Sequence, residues 1–192
     1  MTAAELAEAL EQRVPGGVTQ HVDGADMPTL VVPVDKLLDV CRELRDGHGK
    51  NFLSAVSAVD FLGRGEEVAG YFGTERGRDL NSPGSWGAPH TVLSPPTRFC
   101  VSYHLAHVDG DGSPPQRVRV QVMVEDGEDV PSVVPIWPTA DWHEREQWDM
   151  MGVRFAGHPN LKRLLMPSDW DGHPLRKDYP IGGEPVQFTD AV

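Results

Sequence analysis

The segment His143-Glu144-Arg145-Glu146-Gln147-Trp148-Asp149 holds the densest set of groups able to do acid–base or metal chemistry. His143-Glu144 opens the zinc-protease pattern, in which two histidines one helical turn apart ligate the metal and the glutamate between them acts as base. One turn on stands Gln147, so the second ligand is missing and zinc hydrolysis is not expected. His104 and His107 fall in or beside a strand, where a spacing of three puts them on opposite faces. His158-Pro159 and His173-Pro174 read as loop residues suited to polar contacts. Gly63-Arg64-Gly65 lacks the third glycine and following helix of a dinucleotide cradle, and no Gly-Lys-Ser/Thr loop exists. Cys41 and Cys100 are too few for a thiolate metal site or a disulfide framework, and no Gly-x-Ser-x-Gly elbow is present. No motif gives this chain a reaction to perform by itself.

The elements that would position these groups follow from periodicity. Thr2-Ala3-Ala4-Glu5 is a capping box, and Leu6, Leu10 and Val14 continue it as a helix stopped by Pro15-Gly16-Gly17. Strands are predicted over 18–22 and 29–34, then a helix capped by Asp35 carrying Leu37, Leu38, Cys41 and Leu44. A buried strand is expected from Phe52 to Leu62. Residues 63–97 are rich in Gly and Pro and read as a long insertion. Alternation then predicts two strands, through Phe99, Val101, Tyr103 and Leu105 and through Val118, Val120, Val122 and Val124. A short apolar helix is expected near Ser132 to Trp137 and another from Ala140 to Met151, ended by Gly152. Prolines at 159, 167, 174 and 180 then punctuate an extended arm. The reading is an α+β two-layer domain with a mixed sheet over 1–155 and a docking arm over 156–192.

Charge narrows the partners. The 192 residues carry a net charge of −12, and 24 of the 29 acids precede residue 151 against 12 of the 17 lysines and arginines. That balance argues against nucleic acid, whose phosphates need a basic footprint, and against direct adhesion to an anionic membrane. No apolar run approaches the ~18 residues of a membrane span, so direct insertion is not expected. The opening Met1-Thr2-Ala3-Ala4-Glu5 is acidic before it is basic, unlike a signal peptide.

The helix over 140–151 has no purely apolar face. Arg145 and Asp149 stand one turn apart and are expected to pair. Trp148, Met150 and Met151 cover too much of its circumference to be left in water, so another segment or chain should wrap it. Four of the five tryptophans (Trp137, Trp142, Trp148 and Trp170) lie within 34 residues, and Trp and Arg are common interface anchors.

Glu144-Arg145-Glu146-Gln147-Trp148-Asp149-Met150-Met151-Gly152-Val153-Arg154-Phe155-Ala156-Gly157-His158-Pro159 closely resembles the signature of the 30-kilodalton subunit of respiratory complex I, the C component of NADH–quinone oxidoreductase. Leu161 to Pro167 and Asp171 to Pro180 continue the likeness, and upstream Asn51-Phe52-Leu53 with Val59-Asp60-Phe61-Leu62 looks like the family's third strand. The insertion at 63–97 and Met151, where an aromatic is common, depart from the pattern. The resemblance implies a scaffold subunit without catalytic residues, in a complex passing electrons from NADH through FMN and Fe–S centres to quinone. Those cofactors would reside in partner subunits, with none in this chain. It implies docking on the quinone-site subunit (the D component of the complex), with the B and I components adjacent, and a peripheral place on the cytoplasmic side of the cell membrane. The expected interface comprises Trp142, Glu144, Arg145, Glu146, Trp148, Asp149, His158, Arg163, His173, Arg176, Lys177, Asp178 and Tyr179. A homologous subunit of a membrane-bound energy-converting hydrogenase is the alternative.

Overall fold

The computed structural model describes residues 2–23, 27–62, 97–109 and 115–179. Helix α1 (Ala3–Arg13) begins in the expected capping box: Thr2 Oγ1 accepts from Glu5 N–H at 3.2 Å and Glu5 Oε2 accepts from Thr2 N–H at 2.8 Å. Strands β1 (Gln20–Asp23) and β2 (Pro28–Val31) follow, shorter than the sequence suggests and shifted slightly. The predicted Asp35 cap is not made. Val34–Lys36 forms a 3-10 turn instead, and α2 (Leu37–Asp46) starts after it without a side-chain cap. Strands β3 (Phe52–Asp60), β4 (Phe99–His107) and β5 (Gln116–Val124) lie where alternation places them. The insertion predicted at 63–97 lies, save its last residue, outside the described residues, as does the end of the predicted arm from residue 180.

The sheet runs β1-β2-β5-β4-β3, antiparallel except where β2 meets β5, so it is mixed. One face is the core. Val118, Val120, Val122 and Val124 of β5 and Phe99, Val101, Tyr103 and Leu105 of β4 point into it. Leu6 and Leu10 of α1 and Leu37, Val40, Cys41 and Leu44 of α2 close it from the other side. Alternate residues of each strand point to the opposite face, as the period of two requires.

The apolar helix expected at 132–137 is absent. Pro131, Pro135 and Pro138 recur too closely for an α-helical hydrogen-bond ladder, and the segment turns at 134–136. Tertiary bonds hold it: Arg45 Nη1 donates to the Ile136 carbonyl at 3.1 Å, and Trp137 Nε1 donates to the Lys50 carbonyl at 3.1 Å. Helix α3 spans Ala140–Met151, the predicted range. Gly152 ends it at φ +75°, and a Cβ there would meet the His173 ring at 2.7 Å, so both backbone and space require glycine. Two short parallel strands missed by the sequence, β6 (Asp129–Pro131) and β7 (Arg154–Ala156), flank this region.

Helix α3 packs along β3, the edge strand. Gln147 Oε1 accepts the Ala58 N–H at 2.8 Å, and Thr139 Oγ1 donates to the Leu53 carbonyl at 3.4 Å. Gln147, which replaces the histidine of a zinc pattern, therefore satisfies a sheet edge that would otherwise present unpaired backbone groups.

The core also takes in a phenolic hydroxyl. Tyr103 is fully buried and its hydroxyl has no hydrogen-bond partner among the described residues. Burial, aided by the nearby Glu144 and Cys41, pushes its pKa upward. An unsatisfied buried hydroxyl costs about 1–3 kcal/mol. Tyr103→Phe is therefore expected to raise stability by about 1 kcal/mol in urea unfolding; a loss of that size would show that the hydroxyl has a partner.

Candidate docking site

Helix α3 carries two buried carboxylates with opposite surroundings. Asp149 is completely buried. Its Oδ2 accepts three consecutive main-chain N–H groups, Leu164 at 2.9 Å, Leu165 at 2.7 Å and Met166 at 3.0 Å. Its Oδ1 pairs with Arg163 Nη1 at 2.6 Å. These donors favour the ionised form and hold the acid down to about 2 although burial alone opposes this. The expected Arg145–Asp149 pair is replaced by Arg163–Asp149. Arg145 lies on the neighbouring face, donating Nε to the Lys162 carbonyl at 3.1 Å and Nη2 to the Arg163 carbonyl at 3.4 Å.

Arg163 is the hub of the segment after β7. Its Nη2 donates to the carbonyls of Trp170 at 2.8 Å and Gly172 at 3.1 Å, and its guanidinium lies 5.7 Å from the Trp148 ring centroid. His173 stands edge-on to Trp148, and its Nδ1 lies 2.9 Å from the Asp149 carbonyl. Leu175 N–H donates to the Met150 carbonyl at 2.9 Å. The helix is thus wrapped by its own chain.

Glu144, also fully buried, accepts from Ser132 Oγ at 2.6 Å and from Val133 N–H at 2.7 Å. No arginine or lysine among the described residues pairs with it, and burial raises its pKa to about 7. His158 packs beside it: Nδ1 accepts the Asn160 N–H at 3.0 Å, so the proton sits on Nε2 and is given to the Asp141 carbonyl at 3.2 Å. Nε2 is 4.0 Å from Glu144 Oε2.

A third cluster closes the far end. Arg98 reaches Asp60 at 3.0 Å, Asp126 at 2.7 Å and Asp178 at 2.8 Å. Arg176 reaches Asp126 at 2.6 Å and Asp178 at 3.2 Å, and both guanidinium groups lie against Phe99, 4.9 and 5.2 Å from its centroid. Lys177 contributes its N–H to Asp60 at 3.0 Å, and Tyr179 its hydroxyl to the Asp171 carbonyl at 3.4 Å. The arm's basic character suggests an acidic counterpart, and Asp126, Asp149 and Asp178 of this same chain supply one for Arg163 and Arg176.

Of the thirteen residues expected at an interface, Glu144 and Asp149 are buried inside the domain, and Arg163, His173 and Arg176 spend their polar groups on it. His158 does the same. Glu146, Trp148 and Tyr179 are half-buried, while Lys177 and Asp178 keep exposed side chains. Trp142 is 59% exposed with Arg145 stacked on it at 5.1 Å. Leu165 (60% exposed), Leu175 (61%) and Trp170 join it as large apolar side chains facing solvent. Ser132, Asp60, Arg98 and Asp126 escape sequence reasoning; only the position of Arg98 and Asp60 at either end of the insertion gives a hint. Among the described residues no three His, Cys, Asp or Glu are gathered to hold a metal, and no helix is long and apolar enough to cross a membrane.

Fold and site together define a small α+β domain whose helix α3 is strapped by the segment that follows it, residues 158–179. A family model described as respiratory-chain NADH dehydrogenase, 30 Kd subunit, matches residues 30–185, and the chain belongs to that family. It is 40% identical to the C subunit of NADH-quinone oxidoreductase of Saccharopolyspora erythraea over 85% of this chain and 53% of that protein. To the corresponding C subunit of Roseiflexus it is 34% identical over 97% of this chain and 88% of the relative. The chain spans between about half and two-thirds of the first three relatives' length. A membrane-bound sulfane sulfur reductase, an archaeal respiratory membrane complex, shares the fold with a TM-score of 0.62 at 19% identity, covering 93% of this chain and 85% of that one.

Two pH effects follow. Asp149 has a depressed pKa, so its contribution is present above the unfolded value near 4 and is lost as pH falls towards 2. Asp149→Asn leaves Arg163 unpaired and is expected to cost about 3–5 kcal/mol, read as a lower urea midpoint and faster proteolysis after residue 157. Glu144 has a raised pKa, so its contribution is full below about 4.5 and declines as pH rises through about 7. Glu144→Gln should flatten that decline, gaining on the order of 2–3 kcal/mol relative to the wild type between pH 4.5 and 8. Parallel stability curves for the two proteins across that range would exclude the assignment.

Proposed function

We propose that this chain is a scaffold subunit of the hydrophilic arm of NADH–quinone oxidoreductase, holding neighbouring subunits in register and binding neither FMN nor an Fe–S cluster. One observation carries this reading. Asp149, in the middle of the helix that carries the densest set of acid–base groups, has its oxygens committed to three N–H groups and an arginine, so it orders a surface rather than presenting a reacting atom. The surface so ordered offers Trp142 and Trp170 to solvent, the aromatic type that anchors interfaces, and Leu165 and Leu175 add exposed apolar area.

In this reading the exposed residues around α3 meet the quinone-site D component, with the B and I components adjacent, and the chain is held peripherally on the cytoplasmic side of the membrane. Identities of 34–40% to the C subunits of NADH-quinone oxidoreductases favour this complex over a hydrogenase. The chain takes part in the enzyme's reaction by positioning the subunits that carry the redox groups.

Leu165→Asp combined with Leu175→Asp tests it. Both side chains are exposed, so the thermal midpoint of the isolated chain should stay within about 1–2 °C. Complex recovered on native gels should fall about tenfold or more, because charges would be trapped in an apolar contact. Quinone reductase activity per assembled complex should be preserved. Normal assembly with lost turnover would instead assign this segment a direct part in catalysis.

A further inference from the structure

Lys50, between the end of α2 and the start of β3, is a lysine shut inside the domain, only 5% exposed. Its backbone is pinned on both sides: the N–H donates to the Leu44 carbonyl at 2.8 Å, and the carbonyl accepts from Trp137 Nε1 at 3.1 Å. The ammonium donates from Nζ to the Gln116 carbonyl at 3.3 Å, and no carboxylate among the described residues pairs with it. Part of its donor capacity is therefore unused, and burial pushes its pKa down. The charge stands at a cavity of about 180 Å³. Leu6 of α1, Lys50 and Val118 of β5 are its buried wall, while half-buried Pro28 and exposed Gln116 and Arg117 border it towards solvent. No acid lines it. Asp23, opposite Pro28 in the register, and Glu5, beside Leu6, are engaged at the start of α1, where they accept the N–H groups of Ala3 at 2.6 Å and Thr2 at 2.8 Å.

We propose that this cavity receives the carboxylate of an Asp or Glu side chain from a neighbouring subunit, with Lys50 as its counter-ion. A buried ammonium is unfavourable until an opposite charge meets it, and the folded chain brings none to this place. The chemistry selects a carboxylate. One negative charge matches one ammonium, whereas a phosphate dianion would leave charge uncompensated and would crowd the Gln116 carbonyl. The methylenes of an acidic side chain suit the apolar walls that Leu6, Pro28 and Val118 supply. The size selects a side chain. A volume of about 180 Å³ falls below the ~300–1,000 Å³ usual for sites that hold free small molecules. An acid tethered to a partner also enters at the high effective concentration that the rest of an interface provides.

The inference rests on assembly into the complex proposed above, and the experiment separates the two. Lys50→Met keeps the aliphatic stem and removes the charge. Gln116→Glu, at an exposed position, sets an acid beside the cavity that repels an incoming one. Each full-length variant is purified alone and as complex solubilised from membranes. The thermal midpoint of the isolated chain should fall by no more than about 2 °C in either variant, while complex recovered on native gels falls about tenfold. Wild-type complex is also treated with a water-soluble carbodiimide, which joins a touching amine and carboxyl group as an amide and takes up the water lost as its urea. Mass spectrometry should find Lys50 joined to an Asp or Glu of another subunit. A Lys50→Met chain that assembles like the wild type would overturn the inference, the cavity then holding only water. So would losses of complex no larger than the losses of folded chain in both variants, because Lys50 would then serve the fold alone. An amide from Lys50 to an acid of this chain or of a second copy, or none in a complex whose other lysines react, would overturn it too. Absence of the wild-type chain from any complex overturns both readings at once. Complex lost with the Leu165→Asp and Leu175→Asp pair but kept with Lys50→Met overturns this one alone.

Discussion

The segment from Arg163 to Gly172 depends on the ionised carboxyl of Asp149. Three successive backbone N–H groups converge on one oxygen, so residues 164–166 are bent around a point charge rather than laid against a surface. Arg163 neutralises the charge and, through its second nitrogen, holds the carbonyls of Trp170 and Gly172. One buried anion thereby fixes backbone over about ten residues that contain too few apolar side chains to pack for themselves. A buried charge is expensive unless it is fully paired. The return here is geometric: a segment rich in proline and glycine acquires one conformation and shows a defined set of side chains to its surroundings.

Glu144 and Asp149 are five residues apart on the same helix and both are shut off from solvent, yet their acidities are pushed in opposite directions. Burial acts alike on each. The difference lies in the donors, three amides and a guanidinium for one against a hydroxyl and a single amide for the other. Glu144 holds the 132–133 turn to α3, while His158, pointing its proton at Asp141, ties the start of the arm to the same helix. The arm is consequently joined to the domain chiefly through polar contacts, those of α3 at its start and those of Asp60, Arg98 and Asp126 at its far end, whereas the helices α1 and α2 are joined to the sheet by apolar packing.

Elements with strong period were legible from residue order: α1 through Thr2 and Glu5, β4 and β5 through their alternation, α3 through Gly152. Elements set by tertiary demand were not. The turn at 134–136 looks apolar enough for a helix, but the decisive facts are its prolines and the Lys50, Arg45 and Glu144 partners that lie far away in sequence. Strands β6 and β7 are three residues each and pair only because α3 brings their ends together. At the site, sequence spacing named the helix and the charged residues of the arm. It paired Arg145 with Asp149 because i to i+4 neighbours are visible in sequence, while a partner fourteen residues on, Arg163, is visible only in space.

The cluster around Phe99 has one more consequence. Phe61 N–H donates to the Arg98 carbonyl at 2.8 Å, and Asp60 and Arg98 are bonded directly, so the two ends of the long intervening stretch are clamped together. Once the ends are fixed, lengthening such a stretch costs little, about 0.6 kcal/mol for each doubling. The clamp therefore uncouples the size of that stretch from the integrity of the sheet. Insertions and deletions there can accumulate during evolution as long as Asp60, Arg98 and the arm residues Arg176 and Asp178 that embrace them are kept. The position is a natural place to graft a tag or a reporter.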